Sequence, residues 1–282
     1  MLLKRKTSAE TLKLQEKYGV PYLVFPSLEN TGLVRHAFST RLGGCSTGDL
    51  ATMNLSSTRG DDPENVKENF QRFGAAVGFD PKDLVLSLQT HTTNVRLVTE
   101  EDRGKGFTRP RDYKDVDGLI TNVPGLVLAT FYADCVPLYF VDPVHRAIGL
   151  SHSGWRGTVN RMGEVTLQRM KEAFGTRPSD VWTAIGPSIC QDCYEVSEDV
   201  AQEFISAFEG WADNRLLYRK ENGKYQLNLW RANELVLLES GVPKDRIEVT
   251  DICTCCNPQV LFSHRASKGK RGNLGAFLQL LS

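Results

Sequence analysis

An α+β fold built on a largely antiparallel or mixed sheet core is what this chain of 282 residues predicts, and three observations predict it. Its apolar runs are short and β-rich, neighbouring runs are joined by turn signals more often than by helical crossovers, and amphipathic helical segments are interspersed among them. No repeat, low-complexity tract or linker divides the chain. A single domain is therefore expected over residues 21–282, preceded by residues 1–20 as an N-terminal arm or helix. A chain of this length buries roughly three quarters of its unfolded surface, enough for a core without staples.

Taken in order, residues 9–18 read as a short helix or mobile arm, ahead of an apolar run at Tyr22–Phe25. Val34–Thr40 alternates like a strand and runs into a glycine turn at Arg41, Gly43 and Gly44. Asp61, Asp62, Pro63 and Glu64 open a helix to about Val77, with acidic residues in the first turn where the helix dipole favours them. Strands are expected at 84–89, 94–99 and 117–121, then at Leu126–Tyr132, Val136–Val141 and Arg146–Leu150. A helix over Thr158–Phe174 and a strand at Val181–Ile185 follow. Helices at 197–208 and 228–240, short strands at 246–250 and 259–263, and the apolar run Gly275–Leu281 complete the chain.

Composition removes several classes of function. Lys and Arg number 34, as do Asp and Glu, a balance that argues against a protein gripping nucleic acid or an anionic membrane through its overall field. Seven cysteines are an odd number, and the basic N-terminus is followed by no apolar leader segment. A cytoplasmic protein with reduced thiols is expected, and cysteine becomes a candidate ligand or nucleophile.

Three such candidates each follow an apolar run that should be buried: His91, Cys135 and His152. Each side chain should then emerge at the rim of one sheet, where sites are usually built. Two imidazoles and a thiolate fill three corners of a zinc tetrahedron and leave the fourth for water or substrate. Their spacings of 44 and 17 residues match no short zinc motif. Taken singly, each is more often a hydrogen-bonded core histidine or a small buried thiol. The context of His152 argues otherwise, since Gly154, Trp155, Arg156 and Gly157 lie between it and the helix expected from Thr158, whose N-terminus would favour an anion. The same residues without metal make a Cys135 nucleophile with His152 as its base.

Arg41, Arg156 and Arg265 are the arginines near these turns and the candidate anion binders. The run Lys268, Lys270, Arg271 reads as a solvated turn, and His36, His145 and His264 as bystanders or weak supporting groups. Cys190 and Cys193 form a C-x₂-C, but Cys253, Cys255 and Cys256 are crowded together, so structural or incidental thiols are preferred there over a second zinc.

Read together, Phe38-Ser39-Thr40-Arg41, Gly43-Gly44, Met53-Asn54-Leu55, Gln89-Thr90-His91, Ala133-Asp134-Cys135, His152 through Gly157, Ala184 through Ile189, Tyr194-Glu195-Val196 and Phe262 through Arg265 resemble the laccase-domain family. Its members were once labelled multicopper polyphenol oxidases and are described as bacterial purine nucleoside phosphorylases. The resemblance implies a four-layer α/β/β/α fold with mixed sheets, related to the cysteine-hydrolase-like domain of a cytotoxic necrotising factor. It implies zinc on His91, Cys135 and His152, with copper left open as the metal, and Arg41, then Arg156 and Arg265, with Asn54, are taken as the residues for substrate or phosphate. It also implies purine nucleosides and orthophosphate as partners and a cytoplasmic location, while a monomer and a homodimer both stay open. The family often has Gly-Arg where this chain reads Gly272-Asn273, and cysteines at 255 and 256 are not a general feature of it. The oxidase label fits poorly, because several coppers need many His ligands and the chain holds five histidines.

The implied reactions are phosphorolysis of adenosine, inosine and methylthioadenosine, and deamination of adenosine. The first needs an anion clamp beside a ribose that develops oxocarbenium character, and the second an activated water at C6 of adenine. Asp134 stands beside Cys135 as either an acid for the departing base or an orienting group. Two other readings are a Cys-His hydrolase or amidase, and a non-enzymatic zinc-stabilised module that regulates cell-wall synthesis.

Overall fold

A computed structural model describes residues 3–211 and 213–282. Its strands are β1 (Lys13–Lys17), β2 (Val20–Val24), β3 (Val34–Ser39), β4 (Leu84–Leu86), β5 (Val95–Leu97), β6 (Gly118–Thr121), β7 (Val127–Tyr132), β8 (Val136–Asp142), β9 (Ala147–Ser153), β10 (Trp182–Ile185), β11 (Glu195–Val196), β12 (Leu217–Arg219), β13 (Tyr225–Leu227), β14 (Ile247–Val249) and β15 (Leu274–Leu280). Its helices are α1 (Pro26–Glu29), α2 (Pro63–Val77), α3 (Trp155–Val159), α4 (Met162–Phe174), α5 (Glu198–Ala207), α6 (Leu229–Glu239) and α7 (His264–Ser267).

Two six-stranded sheets carry the fold, in the orders β1-β2-β3-β15-β7-β4 and β14-β10-β8-β9-β6-β5. Both are mixed: β4 runs parallel to β7, β10 to β14 and β5 to β6, and the other neighbours are antiparallel. Alternation along single strands shows how the layers stack. On β8, Leu138 and Phe140 join the core under α4, α5 and α6, while Tyr139 and Val141 point the other way into the core between the sheets. On β15, Leu278 and Leu280 face that inter-sheet core and Phe277 faces α2. Helix, sheet, sheet, helix is the resulting order, and the central strands are buried on both faces, which explains their near-continuous apolar runs. A small third sheet, β11-β13-β12, has no counterpart in the sequence reading, because Tyr218 and Arg219 lack a clear apolar alternation.

Helix α2 forms as its sequence specifies: Asp62 accepts the Glu64 N–H at 2.9 Å, Pro63 opens the first turn, and Gly78 closes the last in the left-handed conformation. Three expectations are corrected. Residues 13–17 are strand, not helix or mobile arm, paired with β2 through a turn in which Tyr18 and Gly19 both have positive φ, the two-residue hairpin geometry. The helix expected over Thr158–Phe174 is two helices, α3 and α4, broken at Arg161, whose φ is 58°. Residues 259–263 form no strand, since Val260 and Leu261 turn back to donate to the Asn257 carbonyl and bury themselves between the sheets.

Candidate functional site

The seam where the two sheets meet, and not the rim of one sheet as the sequence predicts, gathers the three expected ligands. Strand β7 leaves the first sheet at Tyr132, and Ala133, Asp134 and Cys135 turn the chain into β8 of the second. Alongside β8 runs β9, with His152 opposite Pro137 near its end, and the loop after β4 brings in His91. The ligand atoms of His91, Cys135 and His152 all lie within 4.8 Å of one another. His152 is buried, Cys135 partly so, and His91 exposed. Gly154 packs closely on the cluster, since a Cβ there would stand 3.0 Å from His91 Cδ2 and 3.3 Å from Cys135 Sγ.

Asp117, just before β6, organises this cluster and was not singled out from the sequence. Its fully buried carboxylate takes His152 Nδ1 at 2.8 Å and the backbone N–H groups of Thr90, His91 and Thr92 at 2.9 to 3.1 Å. It therefore fixes the His152 ring with Nε2 free to bind, and holds His91 in a left-handed conformation at φ 65°. An acid at the head of an apolar strand was the only available signal. Burial works against charge on Cys135, but His152 and then His91 outweigh it and bring the thiol down to about 6. For His152, burial is likewise overcome, by Cys135 and Asp117, and its value rises to about 9. A ready thiolate, one imidazole with a carboxylate behind it and a second imidazole form a donor set suited to zinc.

Asp134 lines a cavity beside Cys135, and its carboxylate braces the turn between β7 and β8. Its φ is 93°, and its two oxygens accept Thr254 Oγ1 at 2.6 Å and the Arg265 N–H at 2.7 Å.

Two cavities meet at the cluster. The larger, about 660 Å³, is of ligand size and reaches His91, Cys135 and His152 past Phe107 and Phe131. Arg59, Arg111 and Arg271 line it as well. The smaller, about 270 Å³, lies between Cys135, Trp155, Arg156 and Tyr194. Arg271 is thus no solvated turn residue: its Nε is buried without a partner, and burial, with Arg59 nearby, lowers it to about 10.

The sequence-derived anion binders take different tasks. Arg41 donates to the Ala51 and Pro258 carbonyls at 2.9 Å each and stacks on Phe262, clear of the larger cavity's lining. Arg265 is spent on the Cys193 and Glu195 carbonyls at 3.2 and 2.9 Å. Asn54 is fully buried and braces the Ser56 and Asn273 backbones and Asp61. Arg156 alone of that set lines a cavity at the cluster, stacked on Trp155 with 4.3 Å to the ring centroid. His36 is buried behind β2, and His145 pairs with Asp142 after β8.

Cys190, Cys193, Cys253 and Cys256, which read from the sequence as structural or incidental thiols, converge with all four ligand atoms within 4.8 Å of one another. Among the described residues no helix is long and apolar enough to cross a membrane.

Residues 35–281 match the family model described as multi-copper polyphenol oxidoreductase laccase, and the chain belongs to that family. It is 35% identical over 254 residues to the purine nucleoside phosphorylase YlmD of Bacillus subtilis, covering 89% of this chain and 90% of that one. It is 33% identical over 231 residues to the adenosine deaminase RL5 of an unknown prokaryotic organism, covering 81% and 87%. The crystal structure of YlmD from Geobacillus stearothermophilus superposes with a TM-score of 0.87 at 33% identity, covering 95% of this chain and 99% of that one.

Proposed function

We propose, from that membership and the geometry of the cavity, that this chain is a cytoplasmic, zinc-dependent purine nucleoside phosphorylase. It would take adenosine, inosine or methylthioadenosine with orthophosphate to free base and the corresponding ribose 1-phosphate. The observation that carries the proposal is one cavity of nucleoside size that holds both a metal-competent His91, Cys135, His152 cluster and a set of guanidinium groups.

Those residues divide the work by chemistry. Burial and then the nearby Arg59 disfavour the charge on Arg271, so an anion bound there would favour that charge and satisfy the unpaired Arg271 Nε. That places phosphate for attack on C1′ of the ribose, whose bond to the base breaks with the electron pair leaving on the base. Phe107 and Phe131 offer apolar faces for the purine ring. Cys135, His91 and the free Nε2 of His152 would hold the zinc, which supplies Lewis-acid chemistry at the cavity floor. Asp117 keeps those ligands aimed, and the Asp134 turn keeps Cys135 at the seam.

Incubation with adenosine and phosphate tests this. Adenine and ribose 1-phosphate in equal amounts, formed only when phosphate is present, is the expected result. Inosine and ammonia alone would leave deamination, the reaction named for the RL5 relative. Neither product would leave a zinc-stabilised binding module, such as a regulator of cell-wall synthesis.

A Cys-His hydrolase is the second reading, favoured by the line Asp117, His152, Cys135 and in keeping with a cytotoxic-necrotising-factor-like fold. In metal-free protein it predicts that alkylation of Cys135 accelerates through about pH 6, below the ordinary thiol range.

A further inference from the structure

We propose that Cys190, Cys193, Cys253 and Cys256 form a second, closed metal site, a tetrathiolate for structural Zn²⁺ that clamps the loops behind the Asp134 turn. Four sulfurs each about 2.3 Å from a central zinc make a tetrahedron with edges of about 3.8 Å. Here Cys193 Sγ lies 3.5 Å and Cys190 Sγ 4.0 Å from Cys256 Sγ, and no pair among the four exceeds 4.8 Å. The four are reduced and form no disulfide.

The backbone is arranged as in zinc knuckles. Cys253 Sγ accepts the N–H of Cys190 at 3.2 Å and of Cys256 at 3.4 Å, bonds that stabilise a thiolate. Structure also resolves the crowding in the sequence: Cys255 lies outside the cluster, so the ligand register is C-x₂-C in both halves, Cys190 to Cys193 and Cys253 to Cys256. Lys6, 2.8 Å from Asp192 between the first two ligands, brings a positive charge alongside a site that carries excess negative charge when filled. Four soft thiolates leave no open position, which selects zinc in a structural and not a catalytic role.

Its position gives it a task. The two loops it would join carry little regular structure, and both end on Asp134: Ile189 donates to its carbonyl at 3.0 Å and Thr254 to its carboxylate at 2.6 Å. An ion here therefore fixes the turn that presents Cys135. The inference stands on these thiols alone and does not depend on the phosphorylase reading.

Metal content of the full chain, purified under reducing conditions, tests it in three proteins. Cys135→Ala is expected to keep one zinc per chain, held at the tetrathiolate. Cys193→Ser/Cys256→Ser is expected to lose that ion, and Cys255→Ser to match the parent. Cobalt loaded into Cys135→Ala should show the intense thiolate-to-metal absorption of a tetrahedral tetrathiolate, a readout that needs no folded double variant. Cys135→Ala protein free of metal, four thiols that titrate equally with and without chelator, or iron in place of zinc would each overturn the proposal.

Discussion

Two groups of thiol-bearing ligands face each other across the Asp134 turn, and they differ by one ligand. The His91, Cys135, His152 cluster has three, sits where two sheets meet, and opens on a cavity of about 660 Å³. The four-cysteine cluster has a full set, sits on irregular loops, and lines neither of the two cavities at that seam. An incomplete set exposes a reactive corner, whereas a complete one exposes nothing and can only hold the chain together. Chemistry should therefore fail at the first and stability at the second.

The largest expected effect breaks the open cluster. Cys135→Ala should reduce phosphorolysis by at least about 10³-fold, on the order of 4 kcal/mol of barrier. Its Tm should stay within a few degrees, because Cys135 is a partly buried turn residue and not a core member. Loss of fold together with activity would put both groups in the same class and end the contrast. The closed cluster should behave in the opposite way. Cys193→Ser/Cys256→Ser should lower Tm by on the order of 10 °C, while turnover of the folded fraction falls less than about tenfold. Calorimetry and initial rates on the same preparation separate the two.

How much of each cluster was visible in sequence follows from what holds it. His91, Cys135 and His152 each end an apolar run, so burial of the run places the side chain at a rim, and periodicity reports burial. Asp117 was invisible because its role depends on four partners from two other segments. The four thiols were hidden by Cys255, which disguised the register. Arg41 and Arg271 lie where local sequence does not put them, in opposite directions: Arg41 away from the larger cavity's lining and Arg271 within it. The glycine turn beside Arg41 packs on its own chain, because a Cβ at Gly44 would collide with the Thr52 carbonyl oxygen. Arg271 sits in a charged run, and only the fold shows it turning into the cavity. The β1 hairpin escaped notice because its exposed face is charged and helix-like in composition.

Smaller effects sharpen the contrast within the open site. Asp117→Asn keeps the shape but weakens the grip on His152 and the His91 loop, and should cost 10- to 100-fold in metal affinity or rate. Arg271→Ala should raise the KM for phosphate on the order of tenfold with little change in that for nucleoside. Arg41→Ala should leave both KM values alone and cost about 1 to 2 kcal/mol of stability through its two lost carbonyl bonds. A phosphate KM that moves with Arg41 and not with Arg271 would return the anion clamp to the glycine turn.

Acid release of metal would compare the open and closed sites directly, provided the fold's own response to acid is known, and His36 is one buried group that should contribute to it. Its ring is buried, with Nε2 accepting the Phe25 N–H at 2.8 Å, and burial lowers its value from 6.5 to about 3. The unfolded chain thus binds a proton first as pH falls. Stability from this group is complete above about pH 6.5 and declines toward about pH 3, by about 1 kcal/mol between pH 6.5 and 5.5. His36→Gln retains an acceptor for Phe25 and removes the titration, so its denaturant midpoint should be flatter over that interval than that of the parent. Metal lost from either cluster while the His36→Gln protein remains fully folded then reports protonation of the ligands themselves. A midpoint that falls equally steeply in both proteins would assign the acid response to the ligand clusters and not to His36.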